Sequence, residues 1–194
     1  MGKGEDTRRA VLDLALSQAT RLGLEGLTIG TLAAEAGLSK SGLYAHFNSK
    51  EQLQLDVVDA ARDRFVAIVV EPAMREPRGE PRLRAVVERW LDWDDEEPGG
   101  CLFVAASNEL DDRPGPVRDR LVRHQQEWVS FLAKGARLAI AEGHFRADVD
   151  PDLFAFQLWG VILAYHFYRR LLRDPDTVRR ARAALEDLIR QSRA

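Results

Sequence analysis

Residues Ala36–Leu53, AGLSKSGLYAHFNSKEQL, decide how this 194-residue chain folds. Gly37 interrupts one short run of helix formers, and Ser39 stands where the next helix needs an acceptor for its first free amides. Leu43 and Phe47 are four residues apart, so a helix places both on one side, as core. Asn48 ends that helix. Ser49 opens another, and Gln52 three residues later gives the pattern of a capping box. Just upstream, Thr28 caps a short helix whose Ile29, Leu32, Ala33 and Ala36 form its apolar side. Two short helices joined by a glycine-bearing turn make a helix-turn-helix pattern.

The outward residues of the second helix are Ser39, Lys40, Ser41, Gly42 and Tyr44. All but the glycine donate hydrogen bonds and none is acidic, which suits a helix N-terminus that enters the major groove of DNA. Gly42 costs about 1 kcal/mol of helix stability against Ala, a cost that close approach to DNA explains. His46 and Lys50 lie within reach of flanking phosphates, and the free N–H groups of Ser49 to Glu51 offer one more phosphate site. From Ser39 to Lys50 the formal charge is +2, from two lysines and no carboxylate, inside a chain whose 28 basic and 31 acidic residues leave −3. Bulk charge gives no argument for nucleic acid, whereas this local patch does. By spacing alone, an ordinary helical hairpin with a polar surface fits equally well.

At 45% hydrophobic and 30% charged, the chain has the composition of a folded protein with a sizeable core. No apolar stretch is long enough to span a membrane, and MGKGEDTRR lacks the apolar run of a secretory signal, so a cytoplasmic location is expected. A single cysteine, Cys101, excludes an intrachain disulfide and a cysteine-cluster metal site. Its apolar neighbours Leu102, Phe103 and Val104 predict an inert, buried thiol rather than a redox sensor. His46, His124, His144 and His166 have no metal-ligand spacing. No glycine-rich phosphate loop or nucleophile elbow occurs. The expectation is a protein with no catalytic residues, metal or cofactor.

Along the rest of the chain, apolar residues recur at three- and four-residue steps, predicting an all-α fold of about nine helices. Asp6 or Thr7 is positioned to cap the first. The fourth begins at Ser49 and links onward to about residue 70. Three prolines in Glu71–Pro81 end or kink it. Cys101–Val104 has the composition of a strand, but Ala105, Ala106 and Glu109 extend it as a buried helix. The acidic run Asp92–Glu97 reads as a solvated helix end. Asp150 with Pro151, and Asp174 with Pro175, predict two helix starts of the same design. Those last two helices, Pro151–Leu172 and Pro175–Arg190, carry apolar residues on more than one face and are expected to form a twofold interface.

The run Leu27–Leu53, LTIGTLAAEAGLSKSGLYAHFNSKEQL, resembles the DNA-binding region of TetR-family transcriptional regulators. The likeness covers Ala10 to about Leu55. It lies in the Thr28 cap, the turn Ala33-Ala34-Glu35-Ala36-Gly37, Ser39, Leu43-Tyr44, His46-Phe47 and Ser49-Lys50-Glu51. The resemblance implies a homodimer on a near-palindromic operator in double-stranded DNA. It implies a DNA-reading domain at residues 1–50 and an effector-binding and dimerisation domain at 51–194. Most such proteins are repressors released by a small molecule. Thr28 and Lys50 would contact phosphates, and Ser39, Lys40, Ser41 and Tyr44 would face the groove or its walls. Many members carry Thr at the position of Gly42, so this chain lacks one hydroxyl contact. The alternative from another class is a helical protein-interaction module without sequence-specific DNA binding.

A pocket for a small apolar or aromatic effector needs large side chains that frame it and a few polar groups. Trp90, Phe103, Trp128 and Trp159, centred on separate helices, are the expected lining, with Phe131 beside them and His166 as a polar contact. Core packing explains the same aromatics.

Overall fold

The apolar spacing becomes helix almost throughout the computed structural model, which describes Lys3–Ala194. Nine helices run through these described residues: α1 Lys3–Leu22, α2 Ile29–Glu35, α3 Lys40–Phe47, α4 Lys50–Phe65, α5 Glu80–Glu96, α6 Leu102–Leu110, α7 Pro116–Ala141, α8 Pro151–His166 and α9 Thr177–Ser192. The only β pairing among them is an isolated bridge between Phe145 and Arg193. Two helices continue into a π-helical turn, α4 through Val66–Val70 and α8 through Phe167–Leu171. After the first of these comes one α turn, Glu71–Ala73. Pro72 has no N–H to give Ile68, and its ring crowds that carbonyl; the wider π turn carries the helix past the conflict. The helix thus survives the first of the three prolines, and Pro81 falls in the first turn of α5.

Several expected helix ends form as read. Thr28 caps α2, Ser39 caps α3, and Asp150 caps α8 with Pro151 as its first residue. Asn48 closes α3 at a positive φ of 58°. Three ends differ. α1 is already helical at Lys3, so Asp6 and Thr7 lie inside its first turns, where Asp6 complements the helix dipole. The capping box at Ser49 is half made: Ser49 Oγ accepts from Gln52 N at 3.0 Å, but the Gln52 side chain turns forward to Asp56, also at 3.0 Å. α9 starts at Thr177, with Asp176 and not Asp174 at its cap position. Asp174 instead accepts from Asp176 N at 2.9 Å and pairs with Arg180, which holds Pro175 in the preceding turn.

The chain packs as two compact units. The first joins residues up to Arg64 with Glu96–Arg123, so α6 and the start of α7 belong with α1–α4. Its core includes Ala15, Ala19, Leu24, Leu27, Leu32, Leu43, Phe47, Leu53 and Ala106, all fully buried. Leu43 and Phe47 are core as the spacing requires. Arg8 ties this unit together by lying 5.2 Å over the Phe47 ring while its Nη2 pairs with Asp56 at 2.6 Å.

The second unit comprises Phe65–Asp95 and His124–Ala194. Trp90, Phe145, Phe154, Leu158 and Ile162 form its buried centre. Its α5 overturns one expectation. The acidic run is not a solvated end: Asp94 is 0% exposed, with Oδ1 2.7 Å from His166 Nδ1 and Oδ2 3.5 Å from Arg170 Nε. Asp95 pairs with Arg169. Within the first unit, Glu97 is also buried and pairs with Arg64 at 2.9 Å. A buried carboxylate needs a charged or hydrogen-bonding partner, and the partners of Asp94 come from the far end of α8.

Candidate DNA interface and effector cavity

The turn between α2 and α3 is set by Gly37 at φ 66°, a value that glycine adopts without strain. Leu38 N donates to Ala33 O at 2.9 Å and Gly37 N to Ala34 O at 3.2 Å, which satisfies the carbonyls left over at the end of α2. Ser39 Oγ accepts from Gly42 N at 3.0 Å and lies 3.0 Å from Ser41 Oγ. Thr28 Oγ1 accepts from Thr31 N at 3.2 Å. Thr28, Ser39, Lys40, Ser41 and Tyr44 are exposed, while Gly42, His46 and Lys50 are half-buried. Ser39, Lys40, Ser41 and Tyr44 are thus exposed at the start of α3, with Thr28 at the cap of α2 and Lys50 at the start of α4.

Lys50 is already engaged. Its Nζ donates to Glu25 O at 2.9 Å and sits 3.5 Å from Glu25 Oε2. Gln54, buried beside it, donates to Leu24 O at 2.9 Å and to Glu25 Oε1 at 3.2 Å. The Gln54 hydrogen bond, helped by the Lys50 charge, holds the Glu25 carboxyl below the usual range. On the same turn, Glu109 of α6 accepts from Leu24 N at 2.9 Å and Glu25 N at 2.7 Å. Glu25, Gln54 and Glu109 therefore brace the turn that presents Thr28. None was foreseen. Glu109 is 85 residues from Leu24, and no periodic signal connects positions so far apart.

A methyl group built on Gly42 meets only Ser39 Oγ, at 3.2 Å. Gly42→Ala should therefore fold and gain up to about 1 kcal/mol of stability. If close approach to DNA is the reason for the glycine, thermal unfolding will show the gain while operator titration shows a loss. Unchanged operator affinity in the Ala variant would remove that reason.

In the second unit, Trp128 is the hub of an aromatic group. Phe65 meets it edge-on at 5.0 Å and Trp159 at 6.3 Å, and Phe131 stacks on it at 5.6 Å. Phe65 also meets Trp93 edge-on at 5.9 Å. The Trp128 indole N–H is buried with no hydrogen-bond partner among the described residues. Of the expected lining, Trp128, Phe131 and Trp159 are brought together. Trp90 is fully buried against Tyr165, with ring centroids 5.6 Å apart. Burial, reinforced by the Asp94 charge, pushes the Tyr165 phenol up to about 12. His166 is held by Asp94, and Phe103 packs on the core of the first unit. Among the described residues no group of three or more His, Cys, Asp or Glu is placed to hold a metal ion, and no helix is long and apolar enough to cross a membrane. Cys101 is buried.

Comparison with known proteins adds to this geometry. The model of the bacterial regulatory proteins of the tetR family matches residues 11–57, and that of the tetracyclin repressor-like C-terminal domain matches residues 79–185. The HTH-type transcriptional repressor KstR2 of Mycobacterium tuberculosis is 27% identical over 158 residues, 78% of this chain and 76% of that protein. The crystal structure of a TetR transcriptional regulator from Chloroflexus aurantiacus matches with a TM-score of 0.87 at 27% identity, covering 100% of this chain and 98% of that one. The structure of AibR in complex with isovaleryl coenzyme A and operator DNA matches with a TM-score of 0.72 at 24% identity, over 91% of this chain and 95% of that one.

Proposed function

The chain belongs to the TetR family of DNA-binding regulatory proteins, and from that premise we propose that it is a dimeric, cytoplasmic repressor released from a near-palindromic operator by a small, largely apolar effector. It is a regulator and not an enzyme. The observation that carries the proposal is the exposure of Ser39, Lys40, Ser41 and Tyr44, none of them acidic, at the start of α3. In this reading residues 1–50 read DNA and residues 51–194 bind effector and partner. Lys40, Ser41 and Tyr44 meet the groove, Ser39 lies along its wall, Gly42 permits the close approach, and Thr28, His46 and Lys50 hold phosphates. The effector enters among Trp128, Phe131 and Trp159, where the unpartnered Trp128 N–H offers one directional contact in an apolar setting. KstR2, by its name a repressor, supports the repressor half of the reading, and AibR, solved with isovaleryl coenzyme A and operator DNA, supports a regulator that binds both DNA and a small molecule.

All four tryptophans lie in the second unit, so the test has a built-in signal. Genomic fragments that bind the protein are selected, and candidate effectors are titrated onto the best of them. A true effector changes tryptophan fluorescence at the concentration that releases DNA, and the two ligands oppose each other reciprocally by about 1–3 kcal/mol. A compound that binds free and operator-bound protein equally well is no effector.

Lys50 gives a sharper test, because its head group is shared between Glu25 and the proposed phosphate. Lys50→Ala should weaken binding to related operators about equally and lower the salt slope by roughly one unit. Glu25→Ala should leave that slope unchanged, since the lysine remains. An unaltered slope in Lys50→Ala would restrict Lys50 to bracing the turn.

A further inference from the structure

We propose that a groove between α5 and α7 in the second unit binds an amphipathic carboxylate, with its apolar chain on the groove floor and its head group on Arg82 and Lys134. The groove encloses about 420 Å³, at the lower end of the range for small-molecule sites, roughly 300–1,000 Å³. Leu83, Val86, Phe131 and Leu138 make its floor. Gly135 lets that floor close, because a methyl group there would run into the Leu83 side chain. Three cations, Arg78, Arg82 and Lys134, stand among the lining residues, and no carboxylate does.

The three cations are not equivalent. Arg78 is 3.5 Å from Glu142, which compensates its charge. Arg82 gives Nε and Nη2 to the backbone carbonyl of Glu76 at 3.2 and 2.8 Å, which fixes the guanidinium without neutralising it. Among the described residues no carboxylate pairs with Arg82 or Lys134. A neutral hydrocarbon would cover the floor but gain nothing from the two cations, of which Lys134 is exposed and Arg82 half-buried. A small hydrophilic anion would do the reverse. One anionic head on an apolar chain answers both, and a carboxylate suits the Nη1 and remaining Nη2 hydrogens of Arg82, which the Glu76 carbonyl leaves available. Phe131 belongs to this floor and also stacks on Trp128, so occupancy should be visible in tryptophan emission. The site does not depend on whether its ligand controls DNA binding.

The test titrates the full chain with octanoate, 1-octanol and octyltrimethylammonium by calorimetry, with fluorescence in parallel. Octanoate is expected to bind most tightly, to weaken as salt rises, and to change tryptophan emission. The double variant Arg82→Gln/Lys134→Gln should lose roughly tenfold in octanoate affinity, with 1-octanol binding and thermal unfolding unchanged. Equal binding of octanoate and octanol, no loss in the double variant, or no octanoate binding at all would overturn the proposal. Operator affinity is measured separately, so an octanoate complex that stays on DNA upholds the site while separating it from the effector reading.

Discussion

Asp94→Ala is expected to destabilise the second unit by about 3–5 kcal/mol, the cost of leaving the partners of a buried ion pair uncompensated. Asp94 is 0% exposed, and His166 and Arg170 are themselves largely shielded, with side chains 13% and 26% exposed. Nothing in water can replace the carboxylate at that depth. Asp94→Asn keeps the shape and one acceptor for His166, so its loss should be clearly smaller. All four tryptophans belong to this unit, so urea unfolding followed by their emission reports on it directly. For a chain of this size a loss of that order lowers the melting temperature by roughly 10 °C. An Asp94→Ala protein with the wild-type urea midpoint would show that the pair holds nothing together.

Phe156→Asp should break the proposed twofold interface. Phe156 is 75% exposed on α8, and Leu153, Leu163, Phe167 and Leu171 are exposed as well, at 52, 39, 49 and 69%. A groove of about 680 Å³ runs between α8 and α9, lined in part by Gly160, Ala164, Ala181 and Ala184. Small residues there leave room for side chains of a second copy. Burying one phenyl group stabilises by roughly 1.5–3 kcal/mol, and in a twofold interface the group occurs twice. Its replacement by a carboxylate should therefore weaken dimerisation by roughly 10²–10⁴-fold without unfolding the subunit, since the side chain is exposed in the single chain. Sedimentation at micromolar concentration reads this directly. Operator affinity should fall with it, because paired half-sites one helical turn apart need two reading heads. Leu22→Asp, at an apolar position in α1 that is 63% exposed, is the control and should leave the dimer intact. A Phe156→Asp protein that sediments as wild type would move the interface elsewhere.

What the sequence determined by itself is what local forces decide. A cap is a contact across three residues, and an apolar face repeats every three or four. Thr28, Ser39 and Asp150 could therefore be placed as caps, and Leu43 and Phe47 as core, before any packing was known. The same locality made the helix-turn-helix legible and, with it, the surface that includes Lys40, Ser41 and Tyr44. Packing over long range selected which members of the acidic run turn inward, Asp94 and Glu97. Asp92, Asp94 and Asp95 are interchangeable in composition, but among them only Asp94 is fully buried, against His166 72 residues away. Large aromatics behave likewise. Trp90, Phe103 and Trp128 look equally suited to frame a cavity, yet packing seals Trp90 against Tyr165, puts Phe103 on the first core and gathers Trp128 with Phe131 and Trp159. Burial energy depends on what a side chain meets, and for residues this far apart that is fixed by helix packing and not by their neighbours in sequence.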